Sequence, residues 1–452
     1  MTSLTNPMTQ GSLWKNILLF SLPLMATNVL QVLFNMADIA VVGRFAGAAA
    51  LGSVGSTAQL VALFTGFLIG IGSGVNALAA RYYGARDKKN LNATACTAAT
   101  ICFLSGILLL AAGWFGARFF LELLNTKTEL LEGAVLYLRI YFLGMPALAM
   151  YNYGNGMLSA MGETRRPLIY LLIAGVLNVV LNLFFVIVCD MAVAGVALAS
   201  ILSQYLSAVL ILTDLFRHRR LYGLSLHPRN ITGKNAGEIL LLGVPAGMQN
   251  AIFQIANLFV QAGVNSFETV VVEGTAAATN ADALVYDVMA AFYVACSTFM
   301  AQNYGAGKKE RILKSYFVSL TYSFVIGLIF GITLVVFGRQ FLSLFTTEEA
   351  VIETGLYRLQ VMGLCYCVSA FMDCTIAASR GLGKSVVPTV LVILGSCVFR
   401  ILWIYTVFAY FHTITSLYLL YVFSWTITAA LEAVYFVRCY RQQMQALEQH
   451  GI

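Results

Sequence analysis

"LFSLPLMATNVLQVLFN" (residues 19–35) and "LLGVPAGMQNAIFQIAN" (residues 241–257) read as one apolar helix written twice, with Pro23, Asn28 and Asn35 falling on Pro245, Asn250 and Asn257. Outward from there the register holds at an offset of 221 to 222 residues. "RYYGARDKK" (81–89) lies over "QNYGAGKKE" (302–310), and "MGETRRP" (161–167) over "LGKSVVP" (382–388). Between the copies runs "RHRRLYGLSLHPRNITGKN" (217–235), the most polar stretch, which reads as a linker. The division expected is an N-terminal lobe 1–220, a linker 221–236 and a C-terminal lobe 237–452.

Composition decides what the duplicated unit is made of. Of the 452 residues, 60% are hydrophobic and 10% charged, against about 25% charged in ordinary globular chains. Apolar runs long enough to cross about 30 Å of hydrocarbon recur throughout. Twelve spans are expected near 15–42, 51–80, 91–117, 131–160, 167–189, 193–216, 237–265, 272–303, 312–338, 350–379, 386–411 and 414–437. The fold class is therefore an all-α polytopic membrane protein of two pseudo-symmetric six-helix bundles. Six spans per copy is an even number, so the copies share one orientation, an arrangement that suits two bundles rocking about a central site.

The net charge of +7 follows topology. With the amino terminus inside, 20 of the 27 basic residues fall on the inner side and five (Arg44, Arg118, Lys127, Arg339, Arg358) on the outer side. Arg139 and Arg400 lie within spans. Basic loops resist translocation, which places both termini in the cytoplasm of a plasma (inner) membrane protein and removes any need for a nucleic-acid partner. The first apolar run is too long for a cleavable signal. Nine scattered cysteines suggest neither disulfides nor a CxxC site, and His218, His227, His412 and His450 all fall outside the spans. No resident metal or cofactor is expected.

Polar residues inside the spans are few and patterned. Asn28, Gln31, Asn35 and Asp38 are spaced 3, 4 and 3 on the first span, and Asn250, Gln254, Asn257 and Gln261 are spaced 4, 3 and 4 on the seventh. Each set shares one helix face, which cannot face lipid cheaply and should line the interior or a wet cavity. Helix–helix adhesion is the plainer use of any single amide. On the fifth span Asn178 and Asn182 share a face. At about 1.5 Å per residue, Asp38 lies roughly 9 Å and Asn182 roughly 12 Å from the outer ends of their spans. A carboxylate and amide oxygens at one depth offer hard ligands to a small cation, and Asp38 there is placed to be neutralised by a proton, a metal cation or a cationic substrate.

The order and spacing of "VGRFAGAAALGSVG", "LNVVLNLFF", "AGVALASILSQ" and "SRGLGKS", with the six-plus-six duplication, resembles the bacterial MATE (multidrug and toxic compound extrusion) transporters over nearly the whole chain. The resemblance implies two lobes forming a V-shaped cleft and export of amphipathic organic cations in exchange for Na+ or H+. It implies no enzymatic step, a monomer, and only the lipid bilayer and small organic cations as partners. In that family an aspartate on the first span pairs with polar residues of the fifth, and Asp38, Asn178 and Asn182 match those positions, with Asn35 beside them. Some members have an aspartate where this chain has Asn182, so one carboxylate stands here instead of two.

Four acids mark the second lobe: Asp282, Asp287, Asp373 and Glu432. Asp282 and Asp287 lie about 140° apart on a helix; relatives often carry an acid at the first, so Asp282 is preferred. Asp373 aligns by the repeat with Asn152 and lies seven residues before Arg380. Asp282 and Asp373, with Gln31, Gln254, Asn257 and Gln261, form the expected substrate cavity. Glu432 reads as snorkelling toward Arg438, and Arg400 requires a partner, with Asp373 or Asp287 in view. Gly66, Gly70 and Gly74 share a face suited to close helix packing, and Pro23 and Pro245 mark kinks. A flippase on the same superfamily fold is the main rival, for which fourteen spans or a strongly basic cavity would be expected. An intramembrane enzyme lacks any nucleophile–histidine pair or GxSxG motif.

Overall fold

Apolar runs that must satisfy their backbone internally become helices. The computed structural model describes residues 8–219, 223–225 and 227–449, so residue 220, residues 221, 222 and 226 of the expected linker, and His450 lie outside the described residues. The first copy contributes α1 (Leu13–Val41), α2 (Gly47–Gly84), α3 (Lys88–Leu123), α4 (Thr128–Phe142), α5 (Met145–Ala160), α6 (Arg165–Val188) and α7 (Ala192–Arg217). The second contributes α8 (Gly233–Val264), α9 (Thr269–Gly305), α10 (Lys309–Leu342), α11 (Glu349–Gly363), α12 (Tyr366–Gly381), α13 (Val386–Phe411) and α14 (Ile414–Gln449). The pairs α4/α5 and α11/α12 bend by 46° and 49° at their junctions. If each bent pair is one crossing, and α1 and α2 are separate crossings either side of Gly47 (φ +86°), the described helices agree with twelve spans.

The duplication is written into the backbone. Left-handed residues recur in matched pairs: Arg86 and Gly307 in the α2–α3 and α9–α10 turns, Gly162 and Gly383 before α6 and α13, Asp190 and His412 after them. Pro167 and Pro388 both lie in a first helical turn, where the missing N–H is an orphan anyway. Departures from α geometry also recur. Five-residue π segments lie at Phe184–Val188 in α6 and at Ile404–Phe408 in α13, and a further one follows α1 at Val42–Ala46.

Two compact units emerge, and they do not follow the division at 221–236. One comprises Ala26–Ala251; the other comprises the residues up to Met25 together with Ile252–Ile452. The first part of α1 thus belongs with the second copy, and the first part of α8 with the first copy. The physical reason is the docking of the first turns of these helices and of the segments that precede them. In the Ala26–Ala251 unit, Asn235 donates to Thr94 (2.8 Å), the Thr232 backbone N–H to Thr97 (3.1 Å) and the Tyr82 hydroxyl to Glu238 (2.8 Å). Asp87 caps α3, accepting from the Asn90 backbone N–H at 3.0 Å, and this bond holds its carboxyl below the usual range. In the other unit, Arg311 donates to the Gly11 carbonyl (2.8 Å), Lys308 to that of Thr9 (2.6 Å) and Asn303 to that of Met8 (3.2 Å). Ile17, Phe20 and Leu24 then pack with Phe292 and Phe299, the Phe20 and Phe299 rings meeting edge to face at 5.6 Å.

The glycine face of α2 is used as expected. A Cβ on Gly70 would stand 2.2 Å from the Gly247 backbone nitrogen, and one on Gly74 2.5 Å from that of Gly243. Asn250 donates to the Gly66 carbonyl at 2.9 Å, so this amide joins α8 to α2. Because the obstruction is backbone, it cannot rotate away. Gly70→Val is expected to destabilise the unit by about 1–3 kcal/mol or more, as overpacking does, read as a lower melting temperature and loss of monodisperse protein on size exclusion.

Candidate functional site

Within the Ala26–Ala251 unit, α6 brings Asn182 against Asp38 of α1. Asn182 Nδ2 donates to Asp38 Oδ1 at 2.5 Å and to Asn178 Oδ1 at 3.3 Å. Asn182 is 0% exposed, Asn178 is buried and Asp38 half-buried. The amide oxygen of Asn182 is buried without a hydrogen-bond partner, leaving an acceptor next to the carboxylate. Each helix departs from α geometry just beyond the site, at Phe184–Val188 and at Val42–Ala46. Such segments are frequent at functional positions because they re-aim side chains within a continuous helix. Tyr137 and Tyr141, stacked at 5.8 Å, lie within electrostatic reach of Asp38. Asp38, Asn178 and Asn182 thus come together. Asn35 and Gln31 stay exposed along α1.

In the other unit the second polar stripe is split in use. Asn257 accepts from Arg400 Nη1 at 3.1 Å, Gln254 is half-buried, and exposed Gln261 donates at 2.8 Å to Asn265, just past the end of its own helix. Arg400 also donates to Ser424 Oγ at 3.4 Å and lies over the Tyr421 ring at 4.7 Å. Its direct partners are therefore an amide, a hydroxyl and a ring rather than Asp373 or Asp287. As Asn182 on α6 reaches the stripe of α1, so Arg400 on α13, the matching helix of the second copy, reaches the stripe of α8.

Asp282 is occupied. Arg358, 4% exposed, donates through Nε to Asp282 Oδ2 at 3.1 Å and through Nη2 to the same oxygen, while the Tyr366 hydroxyl donates to Oδ1. The guanidinium also lies over Tyr418 at 5.0 Å. Arg358, counted among the outer-side basic residues, is instead a buried side chain of α11 packed onto α9. With its charge matched, Asp282 is a joint of α9, α11 and α12 and no longer the preferred attractor of a cation.

Asp373 differs. It is buried, its Oδ1 accepts from Tyr286 at a long 3.5 Å, and its Oδ2 has no hydrogen-bond partner. Tyr286 itself is 44% exposed, so an accessible aromatic face stands beside an under-satisfied carboxyl. Glu432 departs from the snorkelling expectation: it is 0% exposed and points inward. Among the described residues no group of three or more His, Cys, Asp or Glu could hold a metal ion.

A duplicated all-helical chain with buried carboxylates, amides and guanidinium groups at span depth has the make-up of a multi-pass membrane transporter. The MatE family model matches it twice, at residues 23–184 and 245–406, and the chain belongs to the MATE family of multidrug efflux transporters. It is 30% identical over 360 residues to the probable multidrug resistance protein YpnP of Bacillus subtilis (strain 168), covering 79% of this chain and 80% of the relative. A FAD transporter of Shewanella oneidensis is 24% identical over 74% of each chain. A solved structure described as the outward-facing conformation of a multidrug resistance MATE family transporter matches with a TM-score of 0.89 at 22% identity, over 99% of this chain and 100% of that one.

Proposed function

We propose that the protein lies in the plasma membrane with both termini in the cytoplasm and exports amphipathic monovalent organic cations in exchange for Na+ or H+. The observation that carries this reading is the Asp38–Asn182–Asn178 cluster, in which one carboxylate meets a buried amide whose oxygen is left unpaired. A small cation or a proton arriving at Asp38 neutralises the carboxylate, and a cation finds a second oxygen in Asn182. Each ligand shifts the exporter only by its differential affinity for the two states, so occupation of this site is what favours release of substrate. Asp373 with the accessible Tyr286 ring is the substrate subsite of this proposal, where charge and a cation–π contact of about 0.5–2 kcal/mol act together without fixed geometry.

The deciding experiment is substrate efflux from proteoliposomes with sodium and proton gradients imposed independently. Export under one gradient and none without either is expected; equal export without any gradient overturns the exchange mechanism. Ethidium binding to the purified protein is expected to weaken about tenfold in Asp373→Asn, a loss of ~1.4 kcal/mol.

A second reading, a flippase or other carrier of polar or anionic substrates, is favoured by one observation. Arg358 and Arg400 place two guanidinium groups among the C-terminal acids, which makes that unit less acidic than its carboxylates alone suggest. Preference for an anionic dye over ethidium would select it.

A further inference from the structure

The α14 helix carries an inward stripe: Tyr421, Ser424, Thr428 and Glu432, spaced 3, 4 and 4. Its upper members are satisfied. Ser424 accepts from Arg400 at 3.4 Å, and the Thr428 and Ser396 hydroxyls share a hydrogen bond at 2.8 Å. The lowest member is not. Neither Glu432 Oε1 nor Oε2 has a hydrogen-bond partner, although the side chain is 0% exposed. Buried polar atoms are paired in the great majority of cases, and a carboxylate left bare in an apolar interior is the most expensive exception.

The charged groups that face Glu432 come from α12. Arg380 lies within electrostatic reach of both Glu432 and Asp373, and Asp373 is seven residues before it, hence two turns along nearly the same face. Tyr435 and Cys439 lie on α14 itself, and α10 presents Tyr316, whose ring meets Phe436 at 4.8 Å. α13 presents the neutral Ser396 and, further along, Arg400. Arg380 thus stands within reach of two carboxyls that both hold unpartnered oxygens, and Arg400 acts on Asp373 as well.

We propose that Glu432 is a proton-carrying site of the C-terminal unit, the inner station of a relay that begins at Asp373. The proposal rests on the exchange reading above. In the step, the O–H bond of a protonated Asp373 breaks and an O–H bond forms on a Glu432 oxygen, through intervening water. Asp373 is left as a carboxylate facing Arg380. Glu432 then gives its proton to water at the inner end of α14, and Arg380 balances the carboxylate that remains. Glu432 lies six residues before Arg438, so the last transfer covers about 9 Å. No oxidant, reductant or further group is required.

The test is infrared difference spectroscopy of the full chain in lipid, between high and low pH, following the protonated-carboxyl band in the parent, Glu432→Gln and Glu432→Asp. One titrating component should vanish in Glu432→Gln and return, shifted, in Glu432→Asp. An unchanged band in Glu432→Gln overturns the proposal, as does a component that responds to sodium at fixed pH. Melting temperature checks folding, and if Glu432→Gln does not fold, the shifted component in Glu432→Asp decides alone. In proteoliposomes, export driven by a proton gradient should fall about tenfold or more in Glu432→Gln, as loss of a proton-transfer group does. A parent that exports under no gradient defeats the exchange reading; a parent that exports while its band is insensitive to Glu432→Gln defeats only this one.

Discussion

Asp38→Asn is expected to abolish gradient-driven export while the chain still folds and inserts. An amide at position 38 keeps the size of the carboxylate and still offers an oxygen to Asn182 Nδ2, which now donates to Asp38 at 2.5 Å. Packing around the buried Asn178 and Asn182 is therefore retained. What is lost is the ability to gain and lose a charge. A site of constant charge gives the coupling ion no differential affinity for the two states, and such a ligand shifts nothing however tightly it binds. Export should fall to the level of empty liposomes, with the melting temperature within a few degrees of the parent, about 1 kcal/mol being worth 2–4 °C in a domain of 150–250 residues. Undiminished drug resistance in cells carrying the variant would remove Asp38 from the mechanism.

The largest stability effect is expected at Asp282. Its removal leaves Arg358, 4% exposed, without its counter-charge and Tyr366 without its acceptor. Breaking a buried pair from one side costs about 3–5 kcal/mol, because a bare charge is left inside. Asp282→Ala should therefore lower the melting temperature by roughly 6–20 °C. Replacing both partners, Asp282→Leu with Arg358→Met, should recover most of the loss, since apolar groups of similar volume often equal a buried ion pair. If the double variant is no better than the single one, the pair is not what joins α9 to α11.

Features that the backbone demands are legible in the sequence. Proline and glycine punctuation gave the duplication, and Gly162/Gly383 occupy the matched left-handed positions that only a repeated fold explains. The α2 glycine face was legible for the same reason: a missing side chain at i, i+4, i+8 means something comes close, here α8 at Gly243 and Gly247. Depth along two helices put Asp38 and Asn182 at one level, and the resemblance to MATE transporters supplied their pairing, which the hydrogen bond between them matches. Pairings that depend on tilt were not legible. Arg358 counts as an outer-side basic residue in the linear chain, but the packing of α11 against α9 buries it on Asp282. Glu432 is a reasonable distance from Arg438 for snorkelling, yet its helical phase is set by Ser424 and Thr428, which face the interior. Asn250 matched Asn28 in the repeat and serves as helix adhesion.

The exchange of leading segments sets an order of assembly during synthesis. The Ala26–Ala251 unit takes the first part of α8 from beyond the midpoint of the chain, so it cannot close until the ribosome has passed the second copy's opening helix. Residues before Ala26 leave the ribosome first, yet they wait for Asn303, Lys308 and Arg311. A gene cut at the polar 221–236 stretch would produce two fragments, each carrying a piece that completes the other and lacking one of its own. Each copy thus holds a leading segment that is built into the other compact unit.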